Sequence, residues 1–119
     1  MNDRQPEKLA ARTKRFALAV IRLYGSLPRS IVSYIAGRQL LKSGTSVGAH
    51  YREARRAKSA ADFISKMEGG LQELDETGYW LELLAESGLG ERAVIDKLSA
   101  EVNELISIFV TIARRTRTN

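Results

Sequence analysis

Between Ile95 and Ile112, apolar side chains recur at Ile95, Leu98, Val102, Leu105, Phe109 and Ile112, at alternating spacings of three and four. A repeat of that period puts all six on one stripe, which a helix can bury and a pleated strand cannot. This segment predicts a helix over about 91–115 that ends in the basic tail Arg114, Arg115 and Arg117. The same logic applies upstream. Leu9, Phe16, Val20, Leu23 and Leu27 share a face, and Ser26-Leu27-Pro28 ends the helix because proline cannot continue it, giving about 6–26. Ser30 is placed to cap a second helix over about 30–57, with apolar positions at Ile31, Ile35, Leu40, Val47, Tyr51 and Ala54. Ser59 and Asp62 form a shortened capping box that opens a third helix over about 60–87, seamed by Ile64, Met67, Leu71, Leu74, Leu81 and Ala85. Ser87-Gly88-Leu89-Gly90 stops it. Four long helices with short connections and no alternating β segment define an all-α, up-and-down four-helix bundle.

Gly37, Gly44 and Gly48 each cost about 1 kcal/mol relative to alanine inside a helix. Either helix two breaks near Ser43-Gly44-Thr45, or close packing compensates; a continuous helix is expected. A chain of 119 residues fits one domain able to bury a real core. With no cysteine and one histidine, it has no disulfide framework, no thiolate ligation and little acid–base inventory. The charged N-terminal stretch lacks the apolar core of a signal peptide, and no segment reaches a membrane span of about 20 apolar residues. A soluble, cytoplasmic protein without a membrane role is expected.

The net charge of +5 is unevenly distributed. Residues 1–58 hold 13 Lys and Arg against 3 Asp and Glu, whereas residues 59–119 hold 6 against 11. Such a division suits an anionic partner such as RNA, or two elements that attract each other within a bundle or between copies.

Helix two also carries an unusual polar stripe. Gln39, Ser43, Ser46, His50 and Glu53 recur at helical spacing. Burying such groups without partners costs a few kcal/mol each, so the row implies a satisfied network, a wet channel or a surface that meets another molecule.

Pro28, Tyr34, Gln39-Leu40, Lys42-Ser43, Ser46, Glu53, Ser59, Phe63, Glu73, Glu76 and Tyr79-Trp80-Leu81 together resemble the pattern of the four-helix-bundle family named for proteins encoded in 23S ribosomal RNA intervening sequences. The resemblance spans about residues 16–90. His50 departs from it, since asparagine is usual there, and the change makes the position pH-responsive. The resemblance implies a homopentamer, five bundles forming a barrel around a channel, with no established enzymatic activity. The family is similar in architecture to the accessory protein of diversity-generating retroelements, a basic pentamer that binds nucleic acid, a likeness at the level of fold alone.

Three groups of residues are candidate sites. Arg52, Arg55, Arg56 and Lys58, with Arg12, Lys14, Arg15 and the tail arginines Arg114 and Arg115, form a candidate nucleic-acid surface, since arginine forks suit phosphate oxygens. A solvated face with favourable charge at a helix C-terminus is the simpler reading. Gln39, Ser43, Ser46, His50 and Glu53, with Glu73, Glu76, Tyr79 and Trp80, form a candidate polar network or subunit interface. His50 and Glu53 facing Glu73 and Glu76 would make half of a carboxylate–histidine metal site, but the second histidine is missing, so no metal or cofactor is assigned. Three residues on one helix face supply no oxyanion hole, so no catalytic residue is assigned. Tyr79 and Trp80 point about 100° apart, so one should pack inward while the other meets a partner or a base. The small residues Ala36, Gly37, Gly44, Gly48 and Ala49 fit close helix approach. Together with the homopentamer that the resemblance implies, the residues predict a non-enzymatic protein that binds RNA or DNA without sequence specificity, in concert with a nucleic-acid-processing protein in one version of this reading; a homopentameric scaffold with no nucleic-acid role is the alternative.

Overall fold

The computed structural model describes the backbone of residues 4–118 and the side chains of residues 8–118. Four helices follow one another: α1 (Arg4–Ser26), α2 (Ile31–Arg55), α3 (Ala60–Glu86) and α4 (Arg92–Thr118). The connections 27–30, 56–59 and 87–91 are too short for anything but antiparallel neighbours. The result is an all-α four-helix bundle measuring 47 × 22 × 19 Å.

Local chemistry sets the helix ends. The Ser30 hydroxyl accepts from the Ser33 N–H at 3.0 Å, and the Ser59 hydroxyl accepts from the Asp62 N–H at 3.0 Å. Asp62 reaches back at 3.4 Å to the N–H of Lys58, one residue before the cap. At the end of α3, the Leu89 N–H donates to the Leu84 carbonyl and the Gly88 N–H to the Ala85 carbonyl. This pair of bonds is a Schellman motif, and it needs a left-handed residue where Gly88 sits with φ 70°.

The core stacks Phe16, Val20 and Leu23 of α1 on Leu40, Val47 and Tyr51 of α2, with Met67, Leu74 and Leu81 of α3 and the buried stripe of α4 completing it. Ile112 closes that last stripe only half-buried, and Ala113 is buried beside it. Helix α2 is continuous through Gly44, because α1 lies directly against it. A Cβ added at Gly44 would meet the Val20 methyls at 2.8 and 2.9 Å. Gly37 similarly receives the Tyr24 ring and Gly48 the Thr13 side chain. Ala36 is buried, whereas Ala49 is exposed and mediates no close approach.

The start of α2 departs from the sequence reading. Ile31 and Ile35, expected in the core, are 78% and 55% exposed. Ser33, Ala36 and Gly37 face inward beside Leu40 instead, because the small side chains of the first three let α2 approach its neighbours closely.

Candidate functional site

Antiparallel alternation brings the start of α1, the end of α2, the start of α3 and the end of α4 to one pole of the bundle. Each of those segments except the start of α3 is rich in arginine, so three basic stretches remote in sequence converge. Lys14, Arg15, Arg52, Arg55, Arg56, Lys58, Arg114 and Arg115 are all exposed, and none forms an ion pair among the described residues. Arg117 differs, pairing with Glu68 at 3.0 Å.

Arg12 is also distinct from this exposed set. Its Nε and Nη2 donate to the two carboxylate oxygens of Glu101 at 2.8 and 2.7 Å, and Nη2 also donates to Glu104 at 2.6 Å. The hydrogen bond from Arg12 holds the Glu101 carboxyl below the usual carboxylate range, against the opposing effect of burial. The bond to Glu101 likewise pushes the Arg12 guanidinium further up from its already high value. Arg12 is thus a clamp between α1 and α4, with its charge compensated, and is poorly suited to hold phosphate at the same time.

Beside this clamp, α1 and α4 part to leave an open cleft of about 1540 Å³. Leu9, Ala54, Phe63, Ile108 and Ile112 give it an apolar floor, while Lys8, Arg15, Arg55 and Arg115 stand at its rim. Tyr51 lies beneath, buried against Phe109 with ring centroids 6.0 Å apart; desolvation pushes its phenol up.

The polar stripe of α2 does not form one continuous network within the subunit. Ser43 is buried, and its hydroxyl lies 2.9 Å from that of buried Thr77 and 3.2 Å from the Leu40 carbonyl. Ser46 donates locally to the Lys42 carbonyl at 2.7 Å, whereas Gln39 and Glu53 are exposed. The His50 ring rests on a cradle that sequence reasoning missed: a Cβ at Gly69 would stand 2.8 Å from it. Two adjacent glycines inside a helix are the signal, since their propensity cost calls for a packing reason. His50 Nδ1 is buried without a hydrogen-bond partner among the described residues, and it lies 4.0 Å from Glu53, which is 3.9 Å from Lys66. Glu73 is half-buried and Glu76 exposed; neither forms an ion pair among the described residues. Among those residues, no three His, Asp or Glu side chains gather as metal ligands would.

Trp80 packs half-buried against the core, while Tyr79 beside it is 57% exposed. Ile31, Val32, Tyr34 and Ile35 extend an uncovered apolar surface over the first turns of α2, with Arg38 5.4 Å above the Tyr34 ring. No described helix is long and apolar enough to cross a membrane.

A cationic pole, an uncovered apolar face and a four-helix core define a bundle whose outer surfaces carry its chemistry. The profile of the 23S rRNA-intervening sequence protein family matches residues 8–111, and the chain belongs to that family. Among solved structures, it is similar to a protein of unknown function from the S23 ribosomal protein family of Bacteroides thetaiotaomicron. The two share 33% identity with a TM-score of 0.85, over 92% of this chain and 97% of that one. No curated protein matches the chain.

Proposed function

We propose that this protein is a non-enzymatic, cytoplasmic subunit that self-associates and binds RNA or DNA without sequence specificity through its cationic pole. The carrying observation is the convergence of eight exposed cations without ion-pair partners among the described residues, from α1, α2, the connection after α2 and α4, at one end of the bundle. Phosphate neutralisation by such a cluster releases counterions and gives strongly salt-dependent binding. Self-association uses the apolar start of α2 and exposed Tyr79, since large uncovered apolar side chains in contiguous array are characteristic of interfaces. The homopentameric number rests on the family resemblance, and a nucleic-acid-processing protein is a fitting partner for such an accessory factor.

Light scattering on a size-exclusion column, with absorbance at 260 and 280 nm, tests assembly and bound nucleic acid together. Titration of duplex DNA across a salt series then tests the pole. Replacing Arg52, Arg55 and Arg56 by glutamine is expected to flatten the log–log salt slope by about 0.9 for each phosphate that is no longer neutralised. An unchanged affinity and slope would refute the nucleic-acid role. In that event the uncovered face of α2 favours the second reading, an oligomeric scaffold that binds protein.

A further inference from the structure

The floor of the cleft between α1 and α4 has a chemistry that nucleic-acid binding does not use, although its rim shares Arg15, Arg55 and Arg115 with the cationic pole. That floor is aliphatic and aromatic: half-buried Phe63, Ile108 and Ile112 form the accessible surface, over buried Leu9 and Ala54. A phosphate backbone gains nothing by desolvating against such a floor, and Tyr51 is too deeply buried to stack on a base. The rim is cationic, with Lys8, Arg15, Arg55 and Arg115 free of ion pairs among the described residues and Arg12 already compensated by its two glutamates. Apolar depth ringed by positive charge is complementary to an amphipathic element with an apolar ridge and acidic flanks.

The cleft is large enough to seat such an element. A helix about 10 Å across that rises ~1.5 Å per residue fills on the order of 1300 Å³ in three turns, close to the 1540 Å³ of the cleft. A single acyl chain would leave most of that space to water. The walls are two antiparallel helices that touch least of all the adjacent pairs in the bundle, so the groove between them lies open along its length to a further helix.

We infer that the α1–α4 cleft is a docking groove for an acidic amphipathic helix of another protein. The inference goes beyond nucleic-acid binding and does not depend on it. About three turns of the partner lie along the groove, with leucine or isoleucine side chains at i, i+3, i+4 and i+7 on the floor. Aspartate or glutamate on its flanks meets Arg15 and Arg55 on one side and Arg115 on the other.

The test uses the full chain and a labelled 18-residue peptide with leucines at those spacings and glutamates beside them, against a scrambled peptide of the same composition, read by fluorescence anisotropy. Ser107 and Ala11 are exposed residues lining the cleft, so Ser107→Trp and Ala11→Trp obstruct it without altering charge or core. The ordered peptide is expected to bind one per subunit, with the scrambled peptide and either tryptophan variant about tenfold weaker or more. Arg55→Glu should weaken binding by a similar factor, while Lys97→Ala, an exposed change at the opposite pole, should leave it unchanged. Equal binding of the two peptides, or binding that survives both tryptophan variants, would overturn the inference. It would likewise fall if the tryptophan variants weakened duplex DNA binding as much as peptide binding, because the cleft would then be part of the nucleic-acid surface.

Discussion

Gly44→Ala and Gly78→Ala make the same chemical change in the middle of neighbouring helices, yet the structure predicts opposite signs. Alanine gains about 1 kcal/mol over glycine in a helix interior, and that gain applies to both. At Gly78 the new methyl would meet only a Val102 methyl at 3.5 Å, an ordinary contact, so a net stabilisation of about 1 kcal/mol is expected. At Gly44 the methyl would lie 2.8 and 2.9 Å from the two Val20 methyls and 3.2 Å from their branch carbon. Val20 is fully buried and β-branched, so neither rotation nor retreat relieves the clash, and α1 must move away from α2. Overpacking of that kind costs typically 1–3 kcal/mol. The net at Gly44 is therefore a destabilisation of about 1 kcal/mol, and the two variants should differ by about 2 kcal/mol. For a chain of this size, that corresponds to roughly 8 °C in Tm. Thermal melts at one fixed protein concentration measure it, because self-association would make Tm concentration-dependent. Equal increases in Tm for both variants would refute the claim that α1 and α2 are packed through Gly44.

Other features make their own predictions. Glu101 has its folded pKa depressed by Arg12, so its contribution is present above the unfolded carboxylate value and is lost as pH falls through the folded one. The stability gap between the native protein and Arg12→Ala should thus be on the order of 1 kcal/mol at pH 7 and close below about pH 4, measured by urea melts; a gap independent of pH would refute the assignment. In a double-mutant cycle, Ser43→Ala and Thr77→Val should each cost about 1 kcal/mol and together less than their sum, because both remove the same buried hydroxyl contact; strict additivity would exclude that contact. Ile31→Lys with Ile35→Lys should lower the mass seen by light scattering while leaving the helical circular dichroism intact, since both side chains are exposed in the subunit; an unchanged oligomer mass would remove the α2 face from the interface.

The helices were legible in the sequence because their boundaries rest on local chemistry. Ser30 and Ser59 cap, Pro28 interrupts, and the Ile95-to-Ile112 spacing marks a face by itself. At the start of α2, by contrast, periodicity identified a face but not its destination. Ile31 and Ile35 recur as core residues would, yet hydrophobicity alone does not separate a side chain turned to the core from one turned outward. The deciding residues were Ser33, Ala36 and Gly37, whose smallness matters only once α1 is in place. The basic pole was partly readable, since Arg52, Arg55, Arg56 and Lys58 are close in sequence. Its fusion with Arg15 and Arg115 follows from antiparallel topology. The neutralisation of Arg12 was hidden, because its partners lie 89 and 92 positions away. The cleft was hidden for the same reason, being a property of how far two remote helices part.

The Arg12 clamp also bears on the order in which the bundle assembles and comes apart. Three of its helix pairs are hairpins closed by four- or five-residue connections, and contacts this local form early and cheaply. The α1–α4 seam joins the remotest parts of the chain, touches less than any of the three hairpins and carries the Arg12 clamp to Glu101 and Glu104, so loop closure must be complete before it yields any return. It should be the last seam to form and the first to breathe, with amide protons of α1 and of the second half of α4 exchanging ahead of those in α2 and α3. A bundle built this way has a natural door along one edge, and whatever binds there would hold the first and last helices together.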